Sequence, residues 1–233
     1  MTHFPIIIEN QNLLLIPEKA IFWIEKKILL IADLHLGKVG HFRKSGIPIP
    51  RELEQEDLAV LSDLILAYQP EELLILGDFF HSHMNSDWNW IALWRQQFPH
   101  LRIHLVKGNH DLLKEEDWRS MEIEMHENIL EIPPFSFCHH PPVISDHTIP
   151  KTYYFCGHIH PAYILKGMAG QSKRLPCFYV EPGLAILPSF GRFTGGHALK
   201  RKVNSQIYLI SGQDIIKLPS KKPSQFRMGL NKE

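Results

Sequence analysis

The chain has 233 residues, enough for one large domain, and its 44% hydrophobic and 21% charged residues match an ordinary soluble globular protein. A formal charge of zero argues against a protein that coats nucleic acid at large, and no apolar run is long enough to cross a bilayer. Without a cationic and then apolar leader at its amino end, and with three cysteines (Cys138, Cys156, Cys177) in or beside apolar stretches, the chain is expected to be cytoplasmic with reduced, buried thiols.

Short β-rich runs open the chain at Phe4–Ile8, Leu13–Ile16, Ala20–Ile24 and Ile28–Ala32, with turn residues between them, and predict a meander of strands. Over 52–68 the period changes. Leu53, Leu58, Leu61, Ile65 and Tyr68 fall near one helical face, and Glu52, Glu54, Glu56 and Asp57 gather early, where carboxylates favour a helix. Leu73–Leu76 predicts a buried strand, 87–97 a second helix with Trp90, Leu93, Trp94 and Gln97 at helical spacing, and Leu101–Val106 another strand. Trp88, Trp90 and Trp94 are read as helix core rather than as a platform for bases. This β-α-β-α-β succession implies parallel strands flanked by helices. Ile129–Ile132, Phe135–Cys138, Tyr153–Cys156, Cys177–Glu181 and Gln206–Ile210 are strand-like with few helices between, which suits a second sheet packed on the first. The expected class is α/β, two packed mixed sheets flanked by helices. One domain spans 1–216, followed by a basic, flexible tail over 217–233; from Lys200 onward eight Lys or Arg stand against Asp214 and Glu233.

Five clusters of metal-liking side chains are set along this frame in order: Asp33-Leu34-His35, Gly77-Asp78, Gly108-Asn109-His110-Asp111, His139-His140, and Gly157-His158-Ile159-His160. The first three sit where predicted strands end, the place where parallel sheets gather ligands. Each alone has an ordinary reading as a turn or loop. Together they offer enough oxygen and nitrogen donors for two divalent cations. Asp33 and His35 can reach one cation, Asp78 can bridge two, Asn109 offers a neutral amide oxygen, and His139, His158 and His160 offer ring nitrogens. With no thiolate in the set, Mn²⁺, Fe²⁺, Co²⁺ or Zn²⁺ all suit it. Two cations roughly 3.5–4 Å apart are a device for hydrolysing phosphate esters. His110, between Asn109 and Asp111, is the candidate to protonate a leaving oxygen or to stabilise charge on the phosphate, with the Asp111 carboxylate orienting its imidazole.

Asp33-x-His35, Gly77-Asp78, Gly108-Asn109-His110-Asp111, His139 and Gly157-His158-x-His160 resemble the signature of the calcineurin-like metallophosphoesterases. The resemblance implies a four-layer α/β/β/α sandwich of two sheets with helices outside. It implies one metal on Asp33, His35, Asp78 and His160 and the other on Asp78, Asn109, His139 and His158, with His110 beside the substrate phosphate. The family usually has glycine after the ligand matching His139; His140 stands there, leaving His139 and His140 as alternatives. Over about 30–197 the chain is similar to the bacterial ligase-associated DNA-damage-response phosphoesterases, also described as endonucleases. The stretches that carry this are Asp33–Lys38, Phe42–Pro50, Gly157–Pro161 and Leu187–Gly196. That likeness implies a Mn²⁺-dependent phosphodiesterase encoded near a DNA ligase and a helicase, which are candidate partners in the same pathway. Lys38, His41, Arg43, Lys44 and Arg192 are candidates for flanking phosphates, with Phe190 or Phe193 as a stacking face for a base. The alternatives are a small-molecule phosphodiesterase or nucleotide pyrophosphatase, and a scaffold that uses the fold to dock partners.

Overall fold

A computed structural model of the chain describes residues 2–38, 52–81, 88–143, 152–167, 170–192 and 194–220, with the backbone alone at 52–54. The meander forms as expected: β1 (Phe4–Ile8), β2 (Gln11–Ile16), β3 (Ala20–Trp23) and β4 (Ile28–Ile31) pair antiparallel in sequence. β5 (Glu72–Leu76), β6 (Arg102–Val106) and β7 (Ile123–His126) then add in parallel to β4, completing a seven-stranded sheet in chain order. The crossovers carry α1 (Glu52–Tyr68), α2 (Trp88–Gln96) and α3 (Glu115–Ser120).

β4 and β5 read as unbroken apolar runs because both their faces are covered. Leu29, Ile31, Leu73 and Ile75 pack under Leu58, Leu61, Leu64 and Ile65 of α1, Trp88, Ile91 and Trp94 of α2, and Trp118 of α3. Ile28, Leu30, Leu74 and Leu76 point the other way, into Phe135, Phe137, Phe155 and Phe178 of the second sheet. Each fully buried side chain of this kind contributes about 1.5–3 kcal/mol. On α2 the core face is Trp88, Ile91, Trp94 and Arg95, while Trp90 and Leu93 are each 54% exposed. The tryptophan pattern therefore placed the buried stripe part of a turn away from its true position.

The second sheet contains β8 (Ile129–Ile132), β9 (Phe135–Cys138), β10 (Tyr153–Cys156), β11 (Pro161–Lys166), β12 (Ser172–Glu181), β13 (Leu184–Ile186), β14 (His197–Ala198), β15 (Gln206–Ser211) and β16 (Asp214–Lys217). Its order is β14-β11-β12-β13-β10-β9-β8, with β15 on β12 and β16 on β15. Its centre, β9-β10-β13, is parallel. All three described helices lie on the first sheet. The outer face of the second is closed by Cys138, Cys156, Cys177, Tyr179, Leu184 and Ile207 with Ile159, Tyr163 and Leu199, so the expected outer helix layer is not among the described residues there. The three cysteines are buried and unpaired. β16 ends on Lys217, the first residue assigned to the tail, and 221–233 lie outside the described residues. No described helix is long and apolar enough to cross a membrane.

Candidate metal centre

Two parallel strand pairs, one in each sheet, aim their carboxyl ends at the same place. Beyond β4 and β5 the ladder continues, with Asp33 N donating to Gly77 O at 3.1 Å and His35 N to Asp78 O at 2.8 Å. Beyond β9 and β10, Gly157 N donates to His139 O at 3.2 Å. Across the sheets, His158 N donates to the Asp33 carboxylate at 3.0 and 3.2 Å, and Ser189 Oγ to Asp33 O at 2.7 Å. At these strand ends Asp33, His35, Asp78, His158 and His160 all adopt left-handed backbone, with φ of 53°, 54°, 51°, 65° and 49°. Such residues cost of order 1–3 kcal/mol each and concentrate where function over-determines the backbone. Two glycines permit the close approach. A Cβ on Gly77 (φ 81°) would stand 2.1 Å from His139 Nδ1, and one on Gly108 2.2 Å from Asp78 Oδ1.

The donor atoms fall into two sets that meet at Asp78. In the first, Asp33 Oδ1 lies 3.2 Å from His160 Nε2, and Asp78 Oδ2 lies 3.7 Å from His35 Nε2. In the second, His139 Nε2 is 3.1 Å from Asn109 Oδ1, 3.2 Å from His158 Nδ1 and 3.5 Å from that same Asp78 Oδ2. The other Asp78 oxygen is occupied by the backbone N–H of His110 at 2.8 Å. His139 Nδ1 sits 2.9 Å from the Leu76 carbonyl, which only accepts; Nδ1 therefore carries the proton and Nε2 presents its lone pair to the cluster.

These residues fit divalent cations. Both ring nitrogens of His35 are buried without a hydrogen-bond partner, an arrangement that is costly unless an ion takes the ring's lone pair. Burial also holds the histidines in the neutral form that ligates. Desolvation lowers His35 to about 2, with the charges of Lys38, His160, His81 and His110 adding to it, and lowers His139 to about 4. His160 runs the other way: burial pulls its pKa down, but the Asp33 carboxylate outweighs it. A pH dependence follows for the metal-free protein. His35 and His139 take up protons in the unfolded chain near pH 6.5 but not in the folded one, so unfolding gains protons as pH falls. Stability held above pH 6.5 should be lost on the way down to about pH 4, on the order of 3 kcal/mol for His139 alone. Urea unfolding of chelator-treated protein at pH 7.5 and 5 checks this; equal midpoints would refute it.

The remaining expected site residues divide. Of the two adjacent histidines, His139 is buried and aimed at the centre, whereas His140 is exposed, its ring 4.0 Å from that of His158. His110 stands at the rim, half-buried, with its ring 4.3 Å from His81 and 5.4 Å from His35. Asp111 does other work than orienting that ring: its two oxygens accept N–H bonds from Asp78 (2.8 Å), Phe79 (2.9 Å), Phe80 (3.1 Å) and Gly108 (2.8 Å). Burial pushes its carboxyl up, to about 7, against the pull of those donors. Lys38 is half-buried, and burial lowers its pKa against the attraction of Asp78. The Arg192 guanidinium, expected at a phosphate, is paired instead with Glu56 and with Asp57 at 3.4 Å, on α1. Phe190 is 3% exposed and belongs to the core, so it offers no face to a base. His41, Arg43, Lys44 and Phe193 lie outside the described residues.

Two features were not anticipated. His81 joins the rim, three residues after Asp78. Beside His160 a cavity of about 210 Å³ opens, lined among others by Lys19, Arg174, Ser189 and Thr194. Lys19 and Arg174 sit in unremarkable polar runs, and only the folded chain brings them to His160.

The model of the family described as calcineurin-like phosphoesterase matches residues 26–177, a span that includes all five clusters. The chain belongs to the calcineurin-like phosphoesterase family. Among solved structures, this family member is similar to the Pseudomonas putida nuclease MPE, at 30% identity and a TM-score of 0.79, covering 93% of this chain and all of that one. Yfce, a phosphoesterase from E. coli, aligns at 14% identity and a TM-score of 0.43 over 82% of this chain and 97% of its own. No curated protein matches. Membership implies a hydrolase that uses divalent metals, in agreement with the donor groups around Asp33, Asp78 and His139.

Proposed function

We propose that this phosphoesterase is a two-metal phosphodiesterase, Mn²⁺-loaded, whose substrate is nucleic acid. The observation that carries the reading is the pair of donor sets sharing Asp78 Oδ2, one through His35 and the other through His139. Asp33, His35, Asp78 and His160 would hold one cation and Asp78, Asn109, His139 and His158 the other; the cations supply positive charge for the phosphate and acidify an attacking water. His110, fixed through its backbone to Asp78 and open at the rim, donates a proton to the departing ester oxygen. Lys38 adds charge on the phosphate side. Similarity to a nuclease over nearly the whole chain supports a polynucleotide substrate. So does the cavity beside His160, where Lys19 and Arg174 offer two cations to a flanking phosphate. A DNA-damage role, with a ligase or helicase delivering the substrate, is part of this reading. Retention of every proposed ligand disfavours a docking scaffold.

A small-molecule phosphodiesterase would use the same centre, and salt separates the two. Cleavage of single-stranded DNA and RNA should weaken steeply between 50 and 200 mM salt, in assay conditions where bis-p-nitrophenyl phosphate hydrolysis barely changes. Arg174→Ala should raise KM for the polynucleotide about three- to tenfold and flatten the salt slope by about one, leaving kcat for the small diester unchanged. Metal-dependent cleavage of the small diester with none of DNA or RNA would overturn the nucleic-acid reading and leave the small-molecule one.

A further inference from the structure

Toward the β7 edge of the first sheet, four more metal-liking side chains share one face. Glu72 on β5, His104 on β6, and Glu124 and His126 on the edge strand β7 occupy even positions in the parallel register, which pairs His104 with Glu124 and Val106 with His126. That is the face on which Leu74 and Val106 meet the second sheet, so the imidazoles are largely covered, with side chains 15% and 18% exposed. His104 Nδ1 lies 3.2 Å from His126 Nε2 and 3.4 Å from Glu124 Oε2, and His126 Nε2 lies 3.7 Å from Glu124 Oε1. Four ligands at about 2.0–2.1 Å around a tetrahedral ion stand roughly 3.3–3.4 Å apart, so the two ring nitrogens are already at ligand spacing, with one oxygen of the Glu124 carboxylate close to each of them.

The surroundings set the protonation. His104 Nε2 lies 3.4 Å from Glu72 Oε2, and Glu72 is itself paired with Arg102. A carboxylate can only accept, so it fixes the proton on Nε2 and leaves the Nδ1 lone pair facing His126 and Glu124. A ligand histidine backed by a carboxylate is the usual support of a zinc site. The rival occupant is a proton, making His104 an imidazolium between Glu72 and Glu124.

We infer that His104, Glu124 and His126 form a zinc site separate from the phosphoesterase centre, with Glu72 orienting His104 and the fourth position left to water. The ion ties β6 to β7 immediately before the segment that carries Asn109 and His110; Lys107 N already bonds His126 O there at 2.9 Å. Its role is to fix the base of that loop.

The test titrates Zn²⁺ into protein whose phosphoesterase centre is first filled with Mn²⁺, comparing wild type with His126→Gln, Glu124→Gln and Glu72→Gln. Wild type should retain one zinc more than His126→Gln after gel filtration, and its Tm should rise by about 5–10 °C at a zinc concentration some 100 times Kd. Glu72→Gln should weaken zinc about 10–100-fold, and His126→Gln by more. Glu124 is exposed, so Glu124→Gln keeps the fold and tests the site if the histidine variant unfolds. Equal zinc content and equal Tm rise in wild type and Glu124→Gln would overturn the site and leave the imidazolium network in its place.

Discussion

Replacing Asp78 by alanine should abolish diester hydrolysis, by on the order of 10³-fold or more in kcat/KM, while emptying both halves of the centre. Asp78 Oδ2 faces both His35 and His139, at 3.7 and 3.5 Å, so its loss should reach both sets at once. His35→Ala or His139→Ala should each remove one metal preferentially. Asp78→Asn is the sharper variant. It keeps an oxygen to accept the His110 N–H, as Oδ1 does at 2.8 Å, and so preserves the loop while removing the shared negative charge. Metal content by elemental analysis and turnover of bis-p-nitrophenyl phosphate should then fall together in both variants. Should Asp78→Asn retain two metals and near-normal turnover, Asp78 is not the bridge, and Asp33, whose Oδ1 is 3.8 Å from His139 Nδ1, becomes the candidate.

The convergence of the proposed ligands was legible because the strands before them were. Ile28–Ile31, Glu72–Leu76 and Arg102–Val106 are apolar enough to declare themselves, and a parallel sheet puts whatever follows them in one place. The left-handed backbone at Asp33, His35, Asp78, His158 and His160 was not legible, because it is imposed by crossing loops from both sheets rather than by local preference. Arg192 misled for a related reason: its partners Glu56 and Asp57 lie some 135 positions earlier and read locally only as helix-starting carboxylates. Polar or very short segments hid their strands too. β11 opens on Pro161, β13 has three residues and β14 two, and only pairing across the sheet makes them strands.

Asp111 gives the largest effect on the fold itself. Alanine there should destabilise the protein by about 4 kcal/mol or more, since four buried backbone N–H groups lose their acceptor at about 1–3 kcal/mol each before any repacking. Three of those donors, on Asp78, Phe79 and Phe80, follow β5, and the fourth, on Gly108, follows β6; the carboxylate is the clamp between the loops that carry Asp78 and Asn109. Asparagine should be nearly as damaging, because its amide nitrogen would face two N–H donors that now meet an oxygen. Urea unfolding of the chelated protein measures the loss, and metal affinity should fall with it as the two loops separate. A side chain that worked through His110 would behave differently. Asp111→Asn would then unfold at the wild-type urea concentration, keep both metals, and change only kcat and its pH profile. That result would restore Asp111 to the imidazole; coupled loss of stability and metal assigns it to the backbone.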